Sequence, residues 1–184
     1  MPNTTPSLAD RAANIKLLAL DVDGVLTDGT LTYSADGGES KCFTTQDGLG
    51  IKLLITHGIE VAIITGRRSA MVERRAKELG IHHLVQGRDD KLTALRELCQ
   101  ACNIELSACA YCGDDLPDLS AIAAAGLGIS VPNAPAYVRD RADYVTEHPG
   151  GKGAVRELSE LLLNAKGYWG EIVEGFLTTG ATTR

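Results

Sequence analysis

The sequence predicts a doubly wound, Rossmann-like α/β fold on a parallel sheet, and three observations lead to it. Short apolar runs of strand length alternate five times with helical periods along the 184 residues. Aromatic residues make up only 4% of the chain while Ala, Leu, Ile, Val and Gly dominate, which suits helices packed closely on a buried sheet. The stretch LALDVDGVLTDG, residues 18–29, is apolar as far as Asp21 and then breaks into carboxylates. Open parallel sheets place their chemistry at such strand ends.

The elements follow in order. Ser7 and Asp10 favour a short helix over residues 7–14, with Ser7 as its cap. The first strand spans about residues 15–22. GTLTYS and ESKCFTT flank the turn sequence ADGG, so residues 29–45 are expected to form a β-hairpin projecting from the loop after that strand. A helical period then runs from Asp47 to a stop at Gly58, and IEVAIIT gives a second buried strand ending at Thr65-Gly66-Arg67-Arg68. A helix over 69–79 stops at Gly80, HHLVQ supplies a short third strand, and a helix over 89–101 holds Lys91 in its first turn. ACAYC is the fourth strand, followed by Gly113-Asp114-Asp115, where Asp115 and Pro117 suit a helix start. LGISV and DYVT are further short strands around a helix near 134–141, and GGKGAVRELSELLLNAKG is strongly amphipathic. Beyond Gly167, YWGEIVEGF is expected to add a helical turn or two and LTTGATTR to form a polar, mobile tail, so that 167–184 is a C-terminal appendage. One domain over 1–184 is expected, large enough to bury roughly two thirds of its unfolded surface.

Composition narrows the function. A formal net charge of -6 offers no electrostatic footprint for nucleic acid or an anionic membrane. No apolar run has the length of a bilayer span, and the polar start lacks the regions of a signal peptide, so a cytoplasmic location is expected. The five cysteines argue against a disulfide framework. Cys99-x-x-Cys102 and Cys109-x-x-Cys112 resemble zinc spacing, but residues three apart on a strand face opposite ways, so they read as small buried hydrophobes. His57, His82, His83 and His148 fall near element ends or in a loop and read as surface residues.

The four strand ends converge on one edge. They bring Asp21 and Asp23, Thr65, Lys91, and Asp114, Asp115 and Asp118 together. Several carboxylates in one small site repel unless a hard cation joins them, and all-oxygen ligation favours magnesium. The Thr65 hydroxyl, backbone N–H groups and the Lys91 ammonium suit phosphoryl oxygens. Asp21 and Asp23 can divide the work, one attacking phosphorus and the other exchanging protons with the leaving alcohol and then water.

DVDGVLTDG, IITGR, Lys91 and GDDLPD, in this order, resemble the four motifs of the haloacid dehalogenase-like phosphatase superfamily, over about residues 17–163. The resemblance implies Asp21 as nucleophile and Asp23 as general acid/base, with Thr65, Gly66 and Lys91 binding phosphate. It implies a Mg2+ site at Asp21, the Asp23 backbone carbonyl and Asp114, supported from outside by Asp115 and Asp118. There is no room for a cap domain between the motifs. Within the superfamily, the hairpin, FTTQDGLGIKLL, IEVAIITGRRS, HLVQGRDDK and GGKGAVRE resemble the 3-deoxy-D-manno-octulosonate 8-phosphate phosphatases. That resemblance implies a capless homotetramer acting on a small phosphorylated sugar acid in lipopolysaccharide biosynthesis, with neighbouring subunits helping to close each site. The substrate's carboxylate calls for a further cation, with Arg67 first and Arg68, Lys41 and Lys152 behind it. Gln46 stands where relatives often have arginine. The alternatives are an N-acylneuraminate 9-phosphate or related sugar-acid phosphatase and, in another class, a phospho-accepting receiver domain, although receivers place the acidic pair before the phospho-acceptor.

Overall fold

The computed structural model describes residues 6–180. In chain order its elements are α1 (Leu8–Asn14), β1 (Leu17–Leu20), β2 (Thr32–Tyr33), β3 (Glu39–Ser40), α2 (Thr45–Thr56), β4 (Glu60–Thr65), α3 (Ala70–Leu79) and β5 (His83–Gln86). There follow α4 (Lys91–Ala101), β6 (Cys109–Gly113), α5 (Leu119–Ala124), β7 (Leu127–Ser130), α6 (Ala136–Arg139), β8 (Tyr144–Val145), α7 (Ala154–Ala165) and α8 (Trp169–Thr179). Six of the strands form one parallel sheet in the order β5-β4-β1-β6-β7-β8. In central β1, Leu18 pairs with Val61 on one side and Ala110 on the other. All four β1 residues are buried, which is why LLAL shows no polar alternation.

Strand order explains where the site lies. From β1 the chain steps outward to β4 and β5, then returns across β1 to add β6, β7 and β8 on the other side. Right-handed crossovers therefore place the two runs of helices on opposite faces and open a crevice between the carboxyl ends of β1 and β6. On one face α2 packs against α7, and α1 and α8 also lean on α7; on the other, α4 packs against α5. Ser7 caps α1 with Asp10 in a reciprocal pair, as expected from sequence.

Three expectations change. The hairpin pairs only through Thr32–Tyr33 with Glu39–Ser40, far shorter than residues 29–45. Asp28 takes the Thr30 N–H in a side-chain turn (3.0 Å) and Thr44 leaves the extended run to cap α2, so both ends are claimed by other hydrogen bonds. The C-terminal segment is a full helix instead of a turn or two, with Ile172 buried and Arg156 stacked 5.2 Å from the Trp169 ring centre. Residues 177–179, expected in the tail, belong to that helix, and 181–184 lie outside the described residues. Cys99, Cys109 and Cys112 are buried, Cys109 Sγ donates to Ala110 O (3.4 Å), and Cys102 Sγ faces His83 Nε2 at 3.6 Å. No helix among the described residues is long and apolar enough to cross a membrane.

Candidate active site

Asp21 is the first residue past β1 and still belongs to the sheet through its N–H, which donates to Cys112 O (3.0 Å). Its carboxylate accepts from Val22 N–H (2.7 Å). The chain then makes one wide turn, closed by Thr27 N–H on Val22 O (3.0 Å). Gly24 lies inside the turn at φ +92°, and a Cβ there would overlap the Asp114 carboxylate. Only glycine meets both demands, which explains the Gly of DVDG. The GG of GGKGAVRE braces the turn from outside, Gly151 N–H donating to Val25 O (2.9 Å).

β4 ends at Thr65, which is buried, with its Oγ1 accepting from Arg67 N–H (3.4 Å). A Cβ on Gly66 would meet the exposed Asp89 carboxylate, which would have to turn aside. Lys91 begins α4, an unfavourable place for a cation by helix-dipole reasoning. Its partners explain it. Its side chain is 2% exposed, and its ammonium donates to Ile64 O (2.9 Å) while pairing with Asp21 Oδ1 (2.9 Å) and Asp118 Oδ1 (3.3 Å). Although burial opposes the charge, Asp21 and Asp118 hold the Lys91 pKa above its ordinary value.

After β6, Asp118 is buried with both oxygens engaged. Oδ1 accepts from Tyr111 Oη (2.6 Å), and Oδ2 accepts from the N–H groups of Asp114 (3.1 Å) and Asp115 (3.2 Å). Asp118 thereby shapes the loop that presents Asp114. Oxygens of Asp21, Asp114 and Asp118 lie within 4.8 Å of one another. Burial and then the Asp118 charge push Asp21 up to about 6 despite Lys91, and burial with Asp21 and Asp118 pushes Asp114 up to about 7. Three carboxylates around a single ammonium are short of positive charge, and this all-oxygen donor set fits a hard dication such as magnesium.

The Asp23 carboxylate is turned away from this group. Lys41 pairs with its Oδ1, and Arg67 Nε lies 3.8 Å from its Oδ2. The cleft has a volume of about 490 Å³ and is lined by Asp21, Asp23, Gly29, Thr65, Gly66, Arg67, Asp89, Lys91, Asp114, Asp115, Pro117 and Asp118.

The family model for haloacid dehalogenase-like hydrolases matches residues 81–158. The 3-deoxy-D-manno-octulosonate 8-phosphate phosphatase of Yersinia pestis is 49% identical over 156 residues, which span 85% of this chain and 83% of that protein. The chain belongs to the 3-deoxy-D-manno-octulosonate 8-phosphate phosphatase family of haloacid dehalogenase-like hydrolases. As a member it is a phosphomonoesterase, and the receiver-domain alternative falls away. The Salmonella typhimurium phosphatase is 47% identical over 163 residues, 89% of this chain and 87% of that one. The crystal structure of the Moraxella catarrhalis phosphatase, in complex with magnesium, phosphate and a KDO molecule, superposes with a TM-score of 0.91 at 55% identity, covering 92% of this chain and 97% of that one. A cobalt-bound Haemophilus influenzae phosphatase gives a TM-score of 0.87 at 43% identity, covering 91% and 99%.

The phosphatase thus brings Asp21, Asp23, Thr65, Gly66, Arg67, Lys91, Asp114, Asp115 and Asp118 to one cleft. Asp115 stands exposed at its rim, capping Leu116 N–H (2.8 Å) and accepting from Tyr137 Oη (3.3 Å). Arg68 lies against Gly87, Gln46 lines a separate depression with His148 and Arg156, and neither these two nor Lys152 is among the residues lining the cleft. Sequence reasoning missed Glu39, Asp89 and Tyr111. It also missed Asn133, which donates to Gly24 O (3.1 Å) and accepts from Gly150 N–H (2.9 Å). Asn133 lies just beyond β7, another strand end on the active edge, and that position was the available signal.

Proposed function

We propose that this phosphatase hydrolyses 3-deoxy-D-manno-octulosonate 8-phosphate to the free sugar acid and inorganic phosphate through an aspartyl-phosphate on Asp21. The observation that supports this most is the division of the first motif: Asp21 faces Lys91 and the Asp114 group, whereas Asp23 faces Lys41 and Arg67. One carboxylate is thereby placed toward the phosphoryl position and its neighbour toward the leaving group. Asp21 Oδ attacks phosphorus as the ester P–O bond breaks, and Asp23 gives its proton to the departing alkoxide. Asp23 then takes a proton from the water that attacks the aspartyl-phosphate, releasing phosphate and restoring Asp21. Thr65, Gly66 and Lys91 bind the phosphoryl oxygens, and Arg67, 43% exposed at the cleft, binds the sugar-acid carboxylate. Asp21, Asp114 and the Asp23 backbone carbonyl would hold magnesium, with Asp115 and Asp118 as outer support, and the ion would offset the repulsion between the phosphoryl dianion and Asp21.

We place the enzyme in the cytoplasm, in lipopolysaccharide biosynthesis, as a homotetramer. Exposed Leu31 and Tyr33 on the hairpin and Val173, Phe176 and Leu177 on α8 support self-association. Asp21→Asn tests the mechanism. It is expected to abolish phosphate release while leaving the circular dichroism spectrum and thermal midpoint near those of the wild type, and measurable turnover by the folded variant would remove Asp21 as nucleophile.

A further inference from the structure

Lys41 follows the hairpin, outside all four motifs, yet its side chain is only 1% exposed. A buried ammonium requires partners, and Lys41 has Asp23 Oδ1 and, at 3.5 Å, Glu39 Oε1. Glu39 Oε2 in turn accepts from Arg67 Nη2 (3.0 Å), whose Nε lies 3.8 Å from Asp23 Oδ2. Two cations and two carboxylates therefore form a closed, charge-balanced ring around Asp23. The stretch carrying Lys41 is itself anchored, because Arg75 donates to Thr44 O (3.2 Å) and lies 5.9 Å from the centre of the Phe43 ring.

We propose that Lys41 is a positioning residue for proton transfer, fixing Asp23 Oδ1 so that Oδ2 alone exchanges protons with the reacting groups. This rests on the acid/base reading of Asp23 above. A carboxylate at the end of two rotatable bonds has two equivalent oxygens; the buried Lys41 ammonium hydrogen-bonds Oδ1, whereas Oδ2 has only the exposed Arg67 Nε at 3.8 Å, beyond hydrogen-bond range, and is the oxygen left to the reacting groups. In the first step the Oδ2 proton passes to the ester oxygen as its bond to phosphorus breaks. In the second, Oδ2 takes a proton from the attacking water. Lys41 stays on Oδ1 through both steps.

The test compares two leaving groups. A sugar phosphate leaves as an alkoxide that needs the proton, whereas p-nitrophenyl phosphate leaves as a stable phenolate that does not. The parameter is kcat/KM, which covers only the steps up to alcohol departure. Lys41→Met is expected to lower kcat/KM on the sugar phosphate about 100-fold or more and on the aryl ester less than about tenfold, in line with the usual scale of general acid catalysis. Lys41→Arg is expected to recover most of the loss, and Lys41→Met placed on Asp23→Asn to add little to it. An equal loss on both esters, no loss at all, or a raised KM with kcat intact would overturn the proposal. If Lys41→Met does not fold, the same leaving-group comparison on Lys41→Gln decides, since a polar side chain without the charge should cost the sugar phosphate more than the aryl ester. Asp23→Asn losing no more on the sugar phosphate than on the aryl ester would instead overturn the acid/base reading of Asp23.

Discussion

Asp21 and Asp114 show what the site costs before it is used. Both carboxylates are pushed up from an ordinary 3.8, Asp21 to about 6 by burial and the Asp118 charge, and Asp114 to about 7 by burial and the charges of Asp21 and Asp118. The folded chain thus holds protons that the unfolded chain has released above pH of about 4. Stability contributed by these groups is present at low pH and is lost as pH rises through about 6 to 7, the reverse of a salt-bridged carboxylate. Magnesium binds the ionised form, so its stabilising effect should grow over the same range. Thermal melts in chelator and in excess magnesium are expected to show a larger metal-induced shift near pH 8 than near pH 5, and equal shifts would contradict this account. The residues facing the phosphoryl position were legible because strand-end position and side-chain type decide them. Tyr111 was illegible, since its hydroxyl reaches Asp118 only through the face β6 presents. Lys41 was read as a weak candidate for the substrate's carboxylate, because its approach to Asp23 depends on the hairpin's path.

Between elements, the clearest device is Asp47. The sequence offers it as the start of a helix, and the structure uses it at two helix starts. Its N–H donates to Thr44 Oγ1 (3.3 Å) and its Oδ2 accepts from the same hydroxyl (2.6 Å) at the head of α2. Its Oδ1 accepts from Arg156 N–H (2.8 Å) in the first turn of α7, across the chain. Asp47 is buried there and complements the α7 dipole. Gly50 lets the two helices approach, for a Cβ would come within 2.7 Å of Ser159 Oγ. Asp47→Ala removes a cap and leaves the half-buried Arg156 N–H without its acceptor, and is expected to cost about 1–2 kcal/mol in urea unfolding. An unchanged midpoint would show that the two helices do not depend on it. This second partner was hidden because Asp47 and Arg156 are 109 residues apart. The hairpin and α8 were misjudged for a related reason. Isolated β-rich stretches and a short amphipathic run take their length from the hydrogen-bond partners and packing surfaces around them.

Across the whole molecule, the alternation of strand and helix was enough to recover the parallel sheet, and the order of motifs was enough to place the cleft at the carboxyl ends of β1 and β6. Handedness makes that inference sound, because right-handed crossovers leave few ways to arrange six parallel strands. Substrate choice is written less directly. The cleft lies open above Asp21, with Arg67 and, through its bond to Glu39, the hairpin at its edge, so that selectivity rests on one exposed guanidinium unless the proposed self-association adds to it. Phosphate release with magnesium, measured as kcat/KM on 3-deoxy-D-manno-octulosonate 8-phosphate, an N-acylneuraminate 9-phosphate and a simple hexose phosphate, tests the account most directly. The expected result is a preference for the octulosonate ester of at least about 100-fold over the hexose phosphate, which lacks the carboxylate that Arg67 would pair, and a smaller preference over the neuraminate ester, which carries a carboxylate but on a longer, N-acylated chain. Comparable slow hydrolysis of all three, or a preference for the neuraminate ester, would contradict it.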